Sequence, residues 1–243
     1  MMGLNPVQKG VGAVFTAPQL NMTLKQAIVT QALPLIKPGM VVGFGGGTTV
    51  GELVRQAANL VNDITVVTPS PTTRQLATVL GYTVVSPQYC DRVDLAFDGC
   101  DQLDHHGNAL KSGGGIHTDE KIIASLADEY WLLAPKQRLV DEFDTATPLV
   151  LEVLPAALAL TMRAISDLGG QATLRTATNR DGFTLSDRGN LLIDCHFASY
   201  AHLGALNQEL ATLAGVVETS YFDQLVTNAL LGDEETGKVT TLF

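Results

Sequence analysis

The sequence predicts an α/β fold with a Rossmann-like, mostly parallel sheet that has helices on both faces, plus a smaller α+β domain. Up to Asp144, short apolar segments alternate with segments of helical spacing, a pattern typical of parallel strands covered on both sides. After Asp144 the apolar and polar residues alternate around a polar turn, which favours antiparallel pairing. We therefore expect a catalytic α/β domain of residues 1–144 and 219–243 and a smaller α+β domain of residues 145–218.

In the first domain, residues 1 to about 20 predict an irregular extension, because glycine and proline interrupt them. Thr23 is expected to cap a first helix that ends near Ile36, where Pro34 distorts the last turn. The segment DEKIIASLADEY predicts a helix after Thr118. Further helices are expected at residues 50–60 and 71–80, and strands at 40–44, 64–68, 82–86, 93–99 and 130–134.

The second domain is expected to begin with a strand at 148–153 and a helix at 155–168. The segments FTLS and LLIDCHF flank the turn Ser186–Asn190 and predict a hairpin. A helix at about 203–213 and the strand VVETSYF complete the unit, and the tail from Val226 is expected to return to the first domain.

Composition narrows the class of protein. The 15 Lys and Arg against 25 Asp and Glu give a net charge of −10, which argues against a nucleic-acid partner. The 3 cysteines are an odd number without CxxC spacing, which is typical of a reducing cytoplasm. No apolar run reaches the ~20 residues of a membrane span, and the amino terminus is too glycine-broken for a secretory signal. We expect a soluble cytoplasmic protein without a membrane partner.

The segment from Asp98 to Lys121 gathers the residues best suited to acid–base chemistry. Asp98 and Asp101 follow a buried strand, Lys111 precedes three glycines, and Glu120 falls in the first turn of a helix. Taken singly, each has an ordinary explanation as a turn former, a surface lysine or a residue favoured by the helix dipole. Their joint occurrence around a glycine-rich turn favours a site that moves protons on a small polar substrate.

The segment Gly45–Thr49 lies between a predicted strand and a predicted helix, as anion-binding loops do. It lacks the lysine spacing of a nucleoside triphosphate P-loop. By itself it fits a tight turn without a ligand equally well.

The histidines do not predict a metal site. His105 and His106 are adjacent and therefore diverge on most backbones, and His117 has no partner at helical spacing. Structural or surface roles are expected for all of them.

Together the motifs resemble those of the ribose-5-phosphate isomerase type A family. The family's DGADE-like, KGGGGA-like, REK and VGxGTGST patterns are matched at residues 98–102, 111–115, 119–121 and 42–49. The likeness extends from about residue 22 to the end. It implies an enzyme of the pentose phosphate pathway that interconverts ribose 5-phosphate and ribulose 5-phosphate through an enediolate. No metal or organic cofactor is implied, and a homodimer or homotetramer is expected.

The resemblance also implies roles for individual residues. Glu120 resembles the proton acceptor, and Lys111 resembles the group that stabilises the enediolate. Asp98 and Asp101 resemble the residues that bind hydroxyls and assist ring opening. The implied substrate-binding residues are Lys25, Gly46, Gly47, Thr48, Thr49, Gly99, Cys100, Ser112, Gly113, Gly114 and Arg138, of which Lys25 and the two threonines resemble phosphate ligands.

Several positions depart from the family pattern, notably Ser112, His117 and Asp119. Asp119 stands where an arginine is usual, so we expect it to raise the pKa of Glu120 by like-charge repulsion. Two other classes of function remain open. One is a sugar-phosphate-binding module without catalysis, and the other is a different enzyme on a similar fold, such as an amino-sugar-phosphate deaminase or an acyl-CoA transferase. The joint presence of both aspartates with Lys111 and Glu120 favours the isomerase.

Overall fold

The computed structural model describes residues 22–243, so the irregular extension predicted for residues 1 to about 20 lies outside the described residues. The helices are α1 Met22–Ala32, α2 Thr48–Ala58, α3 Pro71–Val79, α4 His117–Leu126, α5 Leu158–Asp167 and α6 Leu203–Ala211. The strands are β1 Val41–Phe44, β2 Thr65–Val67, β3 Thr83–Val85, β4 Val93–Asp98, β5 Gln102–Leu103, β6 Ala109–Leu110, β7 Ala127–Pro135, β8 Leu149–Val153, β9 Gln171–Leu174, β10 Leu191–His196, β11 Val216–Thr219, β12 Tyr221–Phe222, β13 Asn228–Gly232 and β14 Val239–Leu242. Four short 3₁₀ helices complete the set at Leu33–Leu35, Pro87–Tyr89, Lys136–Arg138 and Pro155–Ala157.

A seven-stranded sheet forms the centre of the fold, in the order β14-β13-β7-β4-β1-β2-β3. All neighbouring strands in it are parallel except β13 and β14, which are antiparallel. A four-stranded antiparallel sheet has the order β11-β8-β10-β9, and a three-stranded sheet has the order β12-β6-β5. The predicted fold class, α/β with a mostly parallel sheet and a smaller α+β part, is confirmed. The domain limits inferred from the sequence stay a prediction.

Helices cover both faces of the large sheet because its strands expose apolar side chains alternately to each side. Phe44, Phe97 and Trp131 belong to the core shared with α1, α2 and α3. Their neighbours Ala96 and Tyr130 belong to the opposite core, shared with α4. None of the helices within residues 22–243 is long and apolar enough to span a bilayer.

The predicted hairpin is only partly present. LLIDCHF contains β10, but β10 pairs with β8 and with β9, a strand that the sequence analysis did not predict. FTLS makes only the isolated bridges Thr176–Phe183 and Leu185–Leu191. The physical reason is that Phe183 and Leu185 are each 48% exposed, so their alternation with polar residues does not mark a buried face.

Two other boundaries differ from the prediction. Helix α4 ends at Leu126, and Ala127, Asp128 and Glu129 already belong to β7, where register with β4 overrides their helical propensity. The predicted strand VVETSYF breaks at Ser220, where the chain leaves the four-stranded sheet for the three-stranded one.

Candidate active site

The candidate site lies where β1 and β4 end side by side, at the carboxyl edge of the parallel sheet. The Gly45 N–H continues their pairing by donating to the Phe97 carbonyl, at 2.8 Å. A Cβ atom on Gly45 would lie 2.1 Å from Cγ of Asp98, so this position requires glycine if Asp98 is to keep its place. Ligands of open parallel sheets bind at this edge.

Three ionisable side chains meet in the interior at this edge. The Lys111 Nζ lies 3.1 Å from Oδ2 of Asp98 and 3.3 Å from Oε1 of Glu120. It also donates a hydrogen bond to the Gly99 carbonyl. Asp98, Lys111 and Glu120 are 3%, 5% and 6% exposed, respectively, so water screens their charges weakly.

Three different elements deliver this cluster. Asp98 is the last residue of β4. Lys111 follows β6, and its backbone N–H donates to the Ser220 carbonyl at 3.0 Å. Glu120 lies in the first turn of α4, where its N–H donates to the Ile116 carbonyl at 3.0 Å.

The cluster holds two carboxyl groups against one ammonium group in a buried site, and both conditions affect the pKa of Glu120. Burial and then repulsion from Asp98 raise that pKa from 4.5 to about 8, although Lys111 opposes the shift. Burial alone would lower the pKa of Lys111, but attraction to Asp98 and Glu120 outweighs it and raises the pKa. Lys111 therefore stays charged, whereas Glu120 can gain and lose a proton near neutral pH.

Two adjoining cavities open beside this cluster. The larger, about 400 Å³, is lined by Gly46, Gly47, Ser70, Pro71, Thr72, Gly99, Cys100, Asp101, Lys111, Gly114, Ile116, Glu120 and Arg138. The smaller, about 250 Å³, is lined by Lys25, Gly46, Gly47, Thr48, Thr49, Val50, Gly99, Leu133, Pro135 and Arg138. Since they share Gly46, Gly47, Gly99 and Arg138, the two cavities form one continuous cleft.

The smaller cavity suits an anion. It contains the amino end of α2, which begins at Thr48 after Gly47, a residue with φ of +92° and no capping side chain. The first N–H groups of a helix have no partner within the helix, and together with the dipole they attract negative charge. The Lys25 Nζ donates to Oγ1 of Thr48 at 2.8 Å, and Arg138 lines the same cavity.

Comparison with known proteins identifies the family. The family model described as ribose 5-phosphate isomerase A (phosphoriboisomerase A) matches residues 65–236. Ribose-5-phosphate isomerase A of Synechococcus sp. (strain WH7803) is 34% identical over 90% of this chain and 94% of that protein. The chain belongs to the ribose 5-phosphate isomerase A family.

Solved structures of the family share the fold. Ribose 5-phosphate isomerase A of Methanocaldococcus jannaschii superposes with a TM-score of 0.82, at 32% identity over 90% of this chain and 97% of that one. A second D-ribose-5-phosphate isomerase, solved in complex with phospho-erythronic acid, superposes with a TM-score of 0.84, at 29% identity over the same shares of the two chains. The resemblance inferred from the sequence motifs is confirmed.

Most of the residues expected from the family's motifs meet in the cleft. Glu120, Lys111 and Asp101 line the larger cavity, together with Cys100 and Gly114. Thr48, Thr49 and Lys25 line the smaller one, and Gly46, Gly47, Gly99 and Arg138 line both.

Asp98, Ser112 and Gly113 do not line either cavity. Oδ1 of Asp98 accepts from the Gly99 N–H at 2.8 Å, and its Oδ2 faces Lys111. The Ser112 hydroxyl donates to the Pro148 carbonyl, at 2.5 Å. The backbone N–H groups of Ser112 and Gly113 donate to Oδ2 of Asp101, which fixes that carboxylate at the cavity wall.

Sequence reasoning missed the loop before α3. Ser70 caps this helix by accepting from the Thr73 N–H at 3.2 Å, and Ser70, Pro71 and Thr72 line the larger cavity. The signal was present, since a serine followed by proline after a predicted strand marks a helix start at the same edge of the sheet. It also missed Tyr130, whose hydroxyl donates to Oδ2 of Asp98 at 3.1 Å.

The raised pKa of Glu120 has a different source from the one expected. Its like-charge contributions come from Asp98 and Asp101. The carboxylate of Asp119 instead forms an ion pair with Arg188. Within residues 22–243, no three His, Cys, Asp or Glu side chains are arranged to hold a metal ion.

Replacing Glu120 by glutamine should stabilise the fold at alkaline pH. A carboxyl whose pKa is raised on folding contributes full stability below its unfolded value and loses it as pH rises through the folded value. For Glu120 that window runs from 4.5 to about 8. The melting temperature of Glu120→Gln should therefore exceed that of the wild type by a margin that grows between pH 5 and pH 8.5. A margin independent of pH, measured by calorimetry, would show that Glu120 is not held as a destabilised anion.

Proposed function

We propose that this protein is a ribose-5-phosphate isomerase that interconverts ribose 5-phosphate and ribulose 5-phosphate through an enediolate. The observation that carries the proposal is the Glu120 carboxyl, 3.3 Å from the Lys111 ammonium, at the wall of a cleft whose other end suits a phosphate. An aldose–ketose isomerisation moves a proton between neighbouring carbons, so it needs one base and a positive charge near the developing oxyanion.

In this mechanism the phosphate binds at the amino end of α2, with Thr48, Thr49, Lys25 and Arg138 around it. A dianionic phosphate suits this end because helix N–H groups and two cationic side chains face the same small cavity. Phosphate binding there holds the sugar carbons in the larger cavity. The binding energy of the phosphate group, which does not react, thus fixes the position of the reacting carbons.

Glu120 takes the proton from C2 of the open-chain aldose and returns it to C1, while the hydroxyl proton moves from O2 to O1. A carboxylate with a pKa of about 8 is a stronger base than an ordinary glutamate. Its pKa is therefore closer to that of the C–H group from which it takes the proton. Lys111 stabilises the enediolate oxygen, because its ammonium is already fixed between Asp98 and Glu120 before substrate enters. These steps require no metal or organic cofactor.

The two aspartates take different roles. Asp101 lines the larger cavity and accepts two backbone hydrogen bonds on Oδ2, so its other oxygen is available for a substrate hydroxyl or for ring opening. Asp98 has both oxygens engaged within the protein, so we assign it to holding Lys111 and raising the basicity of Glu120.

The buried cluster favours an enzyme over a binding module. A module that only binds a sugar phosphate does not need a carboxylate in a buried site, where its charge is destabilised. The ligand of the solved relative, phospho-erythronic acid, is a phosphorylated sugar acid, and it supports a phosphorylated sugar as the substrate here. A cytoplasmic location and assembly as a homodimer or homotetramer stay predictions.

Replacing Thr48 and Thr49 together by alanine should raise KM about ten- to hundred-fold with little change in kcat, since hydroxyl contacts to the phosphate act in ground and transition states alike. Steady-state kinetics with ribose 5-phosphate measure this. Thr78→Ala is the matched control, because its hydroxyl bonds only the Arg74 carbonyl on the exposed face of α3. An unchanged KM in the double variant would place the phosphate elsewhere.

The direct test of the function is conversion of ribose 5-phosphate to ribulose 5-phosphate by the wild type and by Glu120→Gln. The glutamine keeps the shape but cannot accept the proton from carbon, so kcat should fall on the order of 10²–10⁴-fold. Asp119→Asn is the control: Asp119 pairs with Arg188, and its loss should leave turnover largely intact. An inactive wild type would refute the proposed function, and near-normal kcat in Glu120→Gln would refute Glu120 as the base.

A further inference from the structure

We propose that Tyr130 is a positioning residue for the isomerisation: its hydroxyl, through a hydrogen bond to Asp98, keeps the exchangeable proton of the buried cluster on Glu120. The proposal rests on the proposed function and deepens it, because it assigns a role to a residue that does not contact the cleft.

Tyr130 reaches the cluster from the strand next to Asp98. It lies on β7, which runs parallel to β4 with Tyr130 opposite Ala96. Its side chain is buried, and its hydroxyl lies 3.1 Å from Oδ2 of Asp98. The ring stacks on Phe222 with a centroid distance of 6.2 Å, which fixes the direction of the hydroxyl.

The proton that Glu120 takes from the substrate has a competing acceptor. Both carboxyl groups contact the same Lys111 ammonium, at 3.1 Å for Asp98 and 3.3 Å for Glu120, so they form a coupled pair. A proton that moved from Glu120 to Asp98 would be lost to the sugar, because Asp98 does not line the cleft. The carboxylate that accepts more hydrogen bonds is the less basic one.

Asp98 accepts more hydrogen bonds than Glu120 does, as the proposal requires. Asp98 faces three donors, namely the Gly99 N–H at 2.8 Å, Lys111 and the Tyr130 hydroxyl. Within residues 22–243, the Lys111 ammonium is the only donor that contacts the Glu120 carboxylate. Tyr130 therefore adds a donor to the Asp98 carboxylate without adding charge to the site.

The other groups around Tyr130 do not replace its role. Cys100 is buried, and its thiol pKa is raised to about 12, so it is neutral. Asp101 accepts from the backbone of Ser112 and Gly113, and the Lys121 ammonium lies over the Phe222 ring, 5.2 Å from its centroid. Burial raises the pKa of Tyr130 well above its usual value, so the hydroxyl remains a donor across the working pH range.

The test is the dependence of kcat/KM on pH for Tyr130→Phe, which keeps the ring stacked on Phe222 and removes only the hydroxyl. The acidic limb should move to higher pH by about half a unit to one unit, because a hydrogen bond to a charged acceptor is lost. On that limb kcat/KM should fall about three- to ten-fold, while the alkaline plateau is retained. Tyr82→Phe is the matched control, since it loses a partly buried hydrogen bond of 3.1 Å to the Val61 carbonyl away from the cleft. It should lower the melting temperature without moving the profile.

A second variant tests the opposite direction. A 3-fluorotyrosine at position 130 adds one fluorine atom to the ring and is a stronger donor, so it should move the acidic limb to lower pH. If the wild type is active and both variants have its pH profile, the role of Tyr130 is overturned and the proposed function is not. If Tyr130→Phe does not fold, the fluorinated protein decides by itself. A wild type without turnover would overturn the proposed function and this proposal with it.

Discussion

The candidate site depends on the ion pairs that the Lys111 ammonium makes with two buried carboxyl groups, those of Asp98 and Glu120. One lysine cannot neutralise both Asp98 and Glu120, and water is largely excluded from all three. Burial and then repulsion from Asp98 raise the pKa of Glu120 to about 8. Buried ions of this kind weaken a fold, so the surrounding structure has to hold them in place.

Much of that support comes from the four-stranded sheet, which contacts α4 on both sides of Glu120. Thr118 donates to Glu152 of β8, and Lys121 pairs with Glu218 of β11 at 2.8 Å. The four-stranded sheet thus fixes the first turn of α4, which carries Glu120. The strands of this sheet do not line the cleft, but they support α4.

The sequence predicted the parallel sheet and the sheet edge that forms the site, because apolar strands and glycine-rich loops leave local signals. It also led to Glu120 and Lys111 through their spacing. It could not distinguish Asp98 from Asp101, since only the fold decides that one is enclosed and the other faces the cleft. It missed β9, an edge strand with little burial, and it missed Tyr130, whose contact with Asp98 joins residues 32 positions apart.

The central claim is that Asp98 makes Glu120 a stronger base by keeping a second negative charge beside Lys111. Carbon-13 NMR of protein labelled at the glutamate carboxyl groups measures this directly, with Glu120→Gln identifying the signal. In the wild type the Glu120 resonance should titrate near pH 8, and in Asp98→Asn its midpoint should fall toward the ordinary value of 4.5. A wild-type midpoint near 4.5, or a midpoint that Asp98→Asn leaves unchanged, would contradict the account.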